Sequence, residues 1–422
     1  MLEIKSNYKI LTNCRFCSSD DLEIVVDLGL MPLAGAFLKP EQIKDELFFP
    51  LALQYCKNCH LVQASCVPDP TILFNEKYFF HSSSVGSLVS HFEDYAKEIY
   101  LKFLSKLNCP KVLEIGCNDG VLLKPLSKLG CKVIGVDPSS NVTSKIKIEN
   151  SLIVTDFFTE IVANEIFLNN GKIDLITANF SFAHIDDMND VMRGIKILLN
   201  EKGVFVFELY YLKTLIEEMN YDMIYHEHMS YYSLITLKKF LLKFDLEIFD
   251  VQYNAKIRSG SLRVFVKYMT NKDINITETF HTFYKNELIF GLDTITPYKN
   301  YANRIIETKE NLLLMLKDLK AQGKKIIGYG ASGRSTVLMN YCGLNSTHIE
   351  FVIDDATEKQ GYLTPGNHLN IITWNDMVKK GIPDYIILFA WSFIDEVLLK
   401  RSEYINNGGK FILPLPDVKI HN

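Results

Sequence analysis

The sequence has no excess of positive charge, no long apolar run and few residues that keep a chain from packing. Against 50 Asp and Glu stand 45 Lys and Arg, a formal net charge of −5. That balance gives no general attraction to phosphate backbones, and no Lys/Arg-rich stripe supplies a local one, so no nucleic-acid partner is expected. No uninterrupted stretch reaches the ~18 apolar residues that a membrane helix needs, and the opening MLEIKSNYKILTNC lacks a charged leader followed by an apolar core. The expectation is a cytoplasmic protein with no membrane partner. Only 13 Pro and 22 Gly exclude a low-complexity or fibrous chain. Nine cysteines, an odd number in a chain expected to be intracellular, argue against a disulfide framework, so their spacing carries more information than their count.

What is present is a chain of 422 residues, 48% of them hydrophobic, long enough for two or three domains of roughly 100–200 residues each. Residues 1–75 hold short, broken apolar runs and two cysteine pairs, the pattern of a small module that needs an extra staple. Over 76–245, strand-like KVLEI, KVIGVD, SLIVTDFF, IDLITANF and GVFVFELY alternate with helical or loop stretches, as in a parallel, doubly wound α/β sheet. Over 246–422 come two further strands, LEIFDVQ and GSLRVFVKY, a long polar helical region at 273–322, and a second α/β pattern in KKIIGYG, IEFVIDDA, YIILFAWS and KFILPLP. The expected fold class is therefore α/β: a zinc-binding module, a Rossmann-like domain and a second Rossmann-like domain.

Cys14-Arg-Phe-Cys17 and Cys56-Lys-Asn-Cys59 are two C-x2-C knuckles, each able to place two thiolates on one face of a tight turn. Four thiolates suit tetrahedral Zn²⁺ and leave no open coordination position, so the metal is expected to be structural. Cys66, Cys109, Cys117, Cys131 and Cys342 lack such spacing and read as packing residues.

Glu114-x-Gly116-x-Asn118-x-Gly120 follows a strand and opens toward a helix, and Asp137 ends the next strand. Glycines allow close approach of a ligand to the backbone, and Asp137 is placed to accept both ribose hydroxyls of an adenosine. An acid before the first glycine suits a cationic sulfonium with an amino-acid tail better than a pyrophosphate, which favours S-adenosylmethionine (SAM) over NAD. Asp156 and Phe157, after the third strand, are candidates for the adenine amino group and ring, with core packing the competing role for the phenylalanine. Beyond the fourth strand, Tyr225-His226-Glu227-His228 gathers acid/base groups where loops of such a sheet meet the ligand crevice. Metal ligation, acid/base work and a bland surface loop all fit the triplet of charged and imidazole side chains.

These motifs, together with DLGLMPLAGAFLKPEQ, FPLALQYCKNCHLVQ, IYHEHMSYYS, GYGASGRSTVLMNYCG and KQGYLTPGNHLNI, resemble the sugar C-methyltransferases of bacterial deoxysugar biosynthesis along nearly the whole chain. The resemblance implies a SAM-dependent reaction at C3 of a nucleotide-linked 4-keto-6-deoxy sugar. His228 matches the family's base, Tyr225 and His184 match donors to the enolate oxygen, and Glu227 would orient a neighbouring His or hold a sugar hydroxyl. Tyr78, His226, Arg263 and Arg334 complete the expected substrate contacts, Arg334 toward a phosphate. The chain departs from the pattern at Phe80, where relatives carry a tyrosine, and at Arg258-Ser259-Gly260, where His-Gly-Gly is common, which leaves carbon, oxygen and nitrogen open as methyl acceptors. Residues 328–333, Gly-Tyr-Gly-Ala-Ser-Gly, with Asp354 at the end of the next strand, form a dinucleotide fingerprint on pattern alone. They keep an NAD-dependent sugar oxidoreductase as a rival reading. A nucleic-acid methyltransferase gripping RNA with its zinc module is a third, against which the charge balance counts.

Overall fold

The computed structural model describes residues 7–73, 82–84, 86–257 and 259–421. Among them lie three larger sheets and a two-stranded ribbon that pairs Tyr8–Ile10 with Cys66–Pro68. The largest has seven strands in the order Leu246–Asn254, Ser261–Tyr268, Leu199–Tyr210, Ile173–Asn179, Lys111–Ile115, Lys132–Val136 and Leu152–Val154. Five run parallel, and the last two in sequence add an antiparallel hairpin. The hairpin strands therefore complete this sheet, whereas their position after residue 245 had grouped them with the C-terminal unit. The sequence pattern could not decide this, because an alternating strand does not announce which edge it joins. Phe205, Phe207, Val264 and Val266 on paired strands are all buried, and that shared burial is what holds the hairpin there.

The chain builds outward from Lys111–Ile115 in one direction, then crosses back to lay Ile173–Asn179 on its other side. A crevice opens where the strand order reverses, beyond the carboxyl ends of those two strands. Both the 114–120 turn and the residues after Asn179 lie there.

A four-stranded antiparallel sheet makes the N-terminal module, in the order Ser230–Tyr231, Val62–Ala64, Phe48–Cys56 and Leu22–Pro32. Its first strand is borrowed from the segment that directly follows His228. The third sheet orders Ile371–Ile372, Val352–Ile353, Ile326–Tyr329, Tyr385–Leu388, Lys410–Leu413 and Lys419–His421, parallel except for the last. The polar helical region before it splits into Glu278–Phe290 and Thr296–Ala321. Gly291 ends the first with φ +85°, a left-handed cap that glycine adopts without strain, and Pro297 sits in the first turn of the second, where its missing N–H costs nothing. Among the described residues no helix is long and apolar enough to cross a membrane.

Candidate functional site

The four knuckle cysteines converge. One sulfur from each lies within 4.8 Å of all the others, and the Cys14–Cys59 and Cys17–Cys56 sulfurs are 3.4 and 3.5 Å apart. A tetrahedron with metal–sulfur arms of ~2.3 Å has edges near ~3.8 Å, so the donor set fits Zn²⁺ with small adjustments. Cys66, Cys117, Cys131 and Cys342 are buried elsewhere and Cys109 is exposed, in keeping with their lack of metal spacing.

At the crevice, the glycines of the 114–120 turn are fixed by their surroundings. Gly116 has φ +73°, and a Cβ there would stand 2.4 Å from Cβ of Ser181. Gly120 has φ +76° against Ile146, and Asn118 takes φ +49°, a region that asparagine tolerates better than most residues. Asp137 braces the turn: its Oδ2 accepts from the Asn118 N–H and its Oδ1 from the Ser139 N–H, both at 2.9 Å. Each oxygen keeps a lone pair for a further donor such as a ribose hydroxyl. Phe157, 45% exposed, and Asp156 stand open at the end of the third strand, while the adjacent Phe158 is the one packed into the core.

The turn also carries acceptors that none of the described residues fills. Glu114 Oε1 accepts from Asn179 Nδ2 at 3.2 Å. Among the described residues, Glu114 Oε2, Asn179 Oδ1 and Asp119 Oδ1 are buried with no hydrogen-bond partner. Burial pushes the Glu114 carboxyl up to about 8 against the pull of the Asn179 amide. Buried acceptors left without donors are costly, and a set of them asks for a donor-rich cation. The α-ammonium of SAM is such a group, whereas a pyrophosphate would add more acceptors to a site that already has too many. The residues present therefore fit SAM.

The catalytic candidates lie across the crevice. Tyr225, His184 and Tyr210 surround His228, with ring centroids 3.9, 5.2 and 4.7 Å from it. His228 is buried, and its Nδ1 lies 2.7 Å from the carbonyl oxygen of Met223. A carbonyl can only accept, so Nδ1 carries the proton and Nε2 holds the lone pair. Tyr210, not picked out from the sequence, is the last residue of its parallel strand, the position from which such sheets present side chains to ligand. That rule was the available signal. Glu227 is pushed up to about 7 by burial and lies beside Gly35 of the N-terminal module, whose Cβ would stand 4.0 Å from its Oε1.

Three of the expected substrate contacts have protein partners in the structure. His226 Nε2 lies 3.2 Å from Pro50 O with its ring edge-on to Phe49, and burial lowers its pKa to about 4. Arg263 pairs with Glu208 and Glu98 and stacks on Tyr95 at 3.5 Å. Arg334 forks onto both oxygens of Asp222 at 2.9 Å and lies over Trp391. These side chains brace the site, because each finds acceptors from distant parts of the chain that spacing alone does not reveal. Tyr78 and Phe80 lie outside the described residues.

The C-terminal glycine turn is filled by the chain itself. A Cβ on Gly330 would meet Ala390 at 2.9 Å, and one on Gly333 would meet Ala34 of the N-terminal module at 3.3 Å. Asp354 accepts from the Ala331 and Ala356 N–H groups at 2.7 and 2.8 Å and from Lys359 at 3.3 Å.

Comparison with known proteins gives three adjoining family matches: a zinc-binding domain over residues 14–74, a methyltransferase domain over 89–251 and a C-methyltransferase C-terminal domain over 256–416. The chain is 31% identical over 412 residues to the C-methyltransferase NovU of Streptomyces niveus, which covers 97% of each protein. Over 123 residues, 28% of this chain and 48% of the relative, it is 31% identical to a ubiquinone biosynthesis O-methyltransferase of Bradyrhizobium diazoefficiens. A solved SAM-dependent methyltransferase from Clostridium acetobutylicum matches 43% of this chain and 92% of its own at 20% identity, with a TM-score of 0.33.

Proposed function

The chain belongs to the C-methyltransferase family and is a SAM-dependent methyltransferase; from that premise we propose that it methylates C3 of a nucleotide-linked 4-keto-6-deoxy sugar, with His228 as the base. The observation that carries this reading is the gathering of Tyr225, His184 and Tyr210 around a buried histidine whose tautomer is set by Met223 O.

A ketone at C4 acidifies the proton on C3. Nε2 of His228 takes that proton, and the electron pair of the C–H bond moves toward the ketone oxygen to form an enolate. Tyr225 and His184 serve as hydrogen-bond donors to the developing oxyanion, where preorganised donors contribute most. When bound, SAM would supply an electrophilic methyl group to the enolate carbon, its S–CH₃ bond breaking as the C–C bond forms. Glu227, held near 7, orients a neighbouring group or holds a sugar hydroxyl.

Exchange of the C3 hydrogen for deuterium tests the reading. With dTDP- or UDP-linked 4-keto-6-deoxyglucose in D₂O, the wild type is expected to wash in deuterium at C3 and His228→Ala to lose that exchange by about 10²–10⁴-fold, the usual worth of a positioned base. Exchange that survives in His228→Ala removes this residue as the base. A methylated product that still carries the C3 hydrogen moves the acceptor to an oxygen or nitrogen.

A further inference from the structure

Arg15 lies between two metal ligands, Cys14 and Cys17, yet its side chain points away from them into the protein and is only 3% exposed. Its Nη1 donates to the carbonyl oxygens of Ala64 and Met229 at 3.1 and 3.0 Å, and its Nε donates to Asp186 Oδ1 at 3.2 Å. Each acceptor belongs to a different part of the site. Met229 directly follows His228, Asp186 follows His184 by two residues, and Ala64 lies in the zinc-module sheet.

The two histidine loops are also joined to each other and to the knuckle. The Met229 N–H donates to Ala183 O, and the Tyr232 hydroxyl to Phe182 O, both at 2.8 Å. Phe16, next to Arg15 in the knuckle, stacks on Phe240 at 3.6 Å and on Tyr232 at 5.9 Å. The knuckle backbone is held as well: the Arg15 N–H donates to Gln63 Oε1 at 2.9 Å, and Asn189 Nδ2 donates to Arg15 O at 2.8 Å.

A buried guanidinium must be paired and hydrogen-bonded to be tolerated. Because its donors form a rigid planar fork, the acceptors it joins are held in a fixed relation to one another. Bound metal fixes the turn from which Arg15 projects. We propose that Arg15 is a positioning residue for methyl transfer: through Met229 and Asp186 it sets the spacing of His228 and His184, so that the zinc site is mechanically coupled to the proton-transfer step. This rests on the reading of those two histidines as the reacting pair.

The test uses the full-length, zinc-loaded enzyme. Arg15→Lys keeps the charge but loses the fork. It is expected to lower kcat and C3 exchange by about 10²-fold, the effect of roughly 1 Å of misplacement, while zinc content and the KM for SAM stay at wild-type values. In Arg15→Ala, added guanidinium ion is expected to recover part of the lost kcat, which general loosening of the fold would not allow. Asp186→Asn, which retains the shape of one acceptor, provides a milder variant that should lose about tenfold in kcat at full zinc content. Wild-type kcat in both Arg15→Lys and Asp186→Asn overturns the proposal. So does a loss of kcat matched by loss of zinc and SAM binding and not recovered by guanidinium. If exchange survives in His228→Ala while Arg15→Lys still slows transfer, it is the assignment of His228 that fails.

Discussion

Two glycine turns follow the first strands of two parallel sheets in this protein, and they have opposite fates. At residues 114–120 and the neighbouring Asn179, one buried oxygen each of Glu114, Asp119 and Asn179 has no donor among the described residues. At 328–333, the space above the glycines is taken by Ala34 and Ala390, and Asp354 is braced by two backbone N–H groups and by Lys359, a cation that Asp137 does not have among its hydrogen-bond partners. Both turns obey the same local grammar, because a strand that must turn sharply into a helix needs glycine whatever lies beyond it. What separates a cofactor site from a packing joint is whether the rest of the chain has already supplied the partners. The rival NAD-dependent reading leaned on the second turn, and the packing there removes its footing.

The contrast is broken most sharply at Gly116. Alanine there must adopt φ +73° and place its Cβ 2.4 Å from that of Ser181, a strain of about 1–3 kcal/mol before the clash is counted. Gly116→Ala should abolish stabilisation by SAM or its demethylated product in a thermal-shift experiment and abolish methyl transfer.

Glu114→Gln probes the unfilled acceptors. It should weaken binding of the demethylated product by about 10- to 100-fold, the worth of a hydrogen bond to a charged group, as read by calorimetry. The same change should stabilise the ligand-free protein at high pH. Burial raises the Glu114 carboxyl from 4.5 to about 8, so between those values the folded state holds a proton that the unfolded chain has released. Stability contributed by this group is complete below pH 4.5 and is lost as pH rises through 8. Ligand-free Glu114→Gln should therefore have a higher Tm than the wild type at pH 8.5 and a similar one at pH 4.5. A wild-type Tm indifferent to this window would remove Glu114 as the titrating group.

At the other turn, Gly333→Ala presses on Ala34 at 3.3 Å. Its expected effect is small, within about 1 kcal/mol of stability, because the helix propensity that alanine gains offsets the close contact, with SAM affinity unchanged. NAD(H) should leave the Tm where it was.

The same contrast marks how far the sequence could be read. Cys14, Cys17, Cys56 and Cys59 were legible because metal ligation is written in short spacing, and the parallel strands because burial on both faces leaves continuous apolar runs. His228, Tyr225 and His184 were reached through resemblance, and the structure brings their rings together. Arg263, His226 and Arg334 were expected at the substrate, and the structure shows each held by a protein partner, for one physical reason. A polar side chain near a site will take the acceptors that folding brings to it, and Glu208, Pro50 and Asp222 are all distant in sequence. Tyr210 and Asn179 could have been found by asking which residues end the parallel strands on the side of the crevice.

The strand Ser230–Tyr231, which pairs with Val62 and Gln63, has a consequence for how the protein is made. The chain leaves the ribosome from its N-terminus, so the cysteines can collect their metal while the edge of the zinc sheet still waits for a strand not yet synthesised. When that strand arrives it carries Tyr225 and His228 just ahead of it. Closing the N-terminal sheet and positioning the Tyr225–His228 segment are thus one event in biogenesis. A fragment ending near residue 75 would emerge with an open sheet edge, a template for the wrong partner.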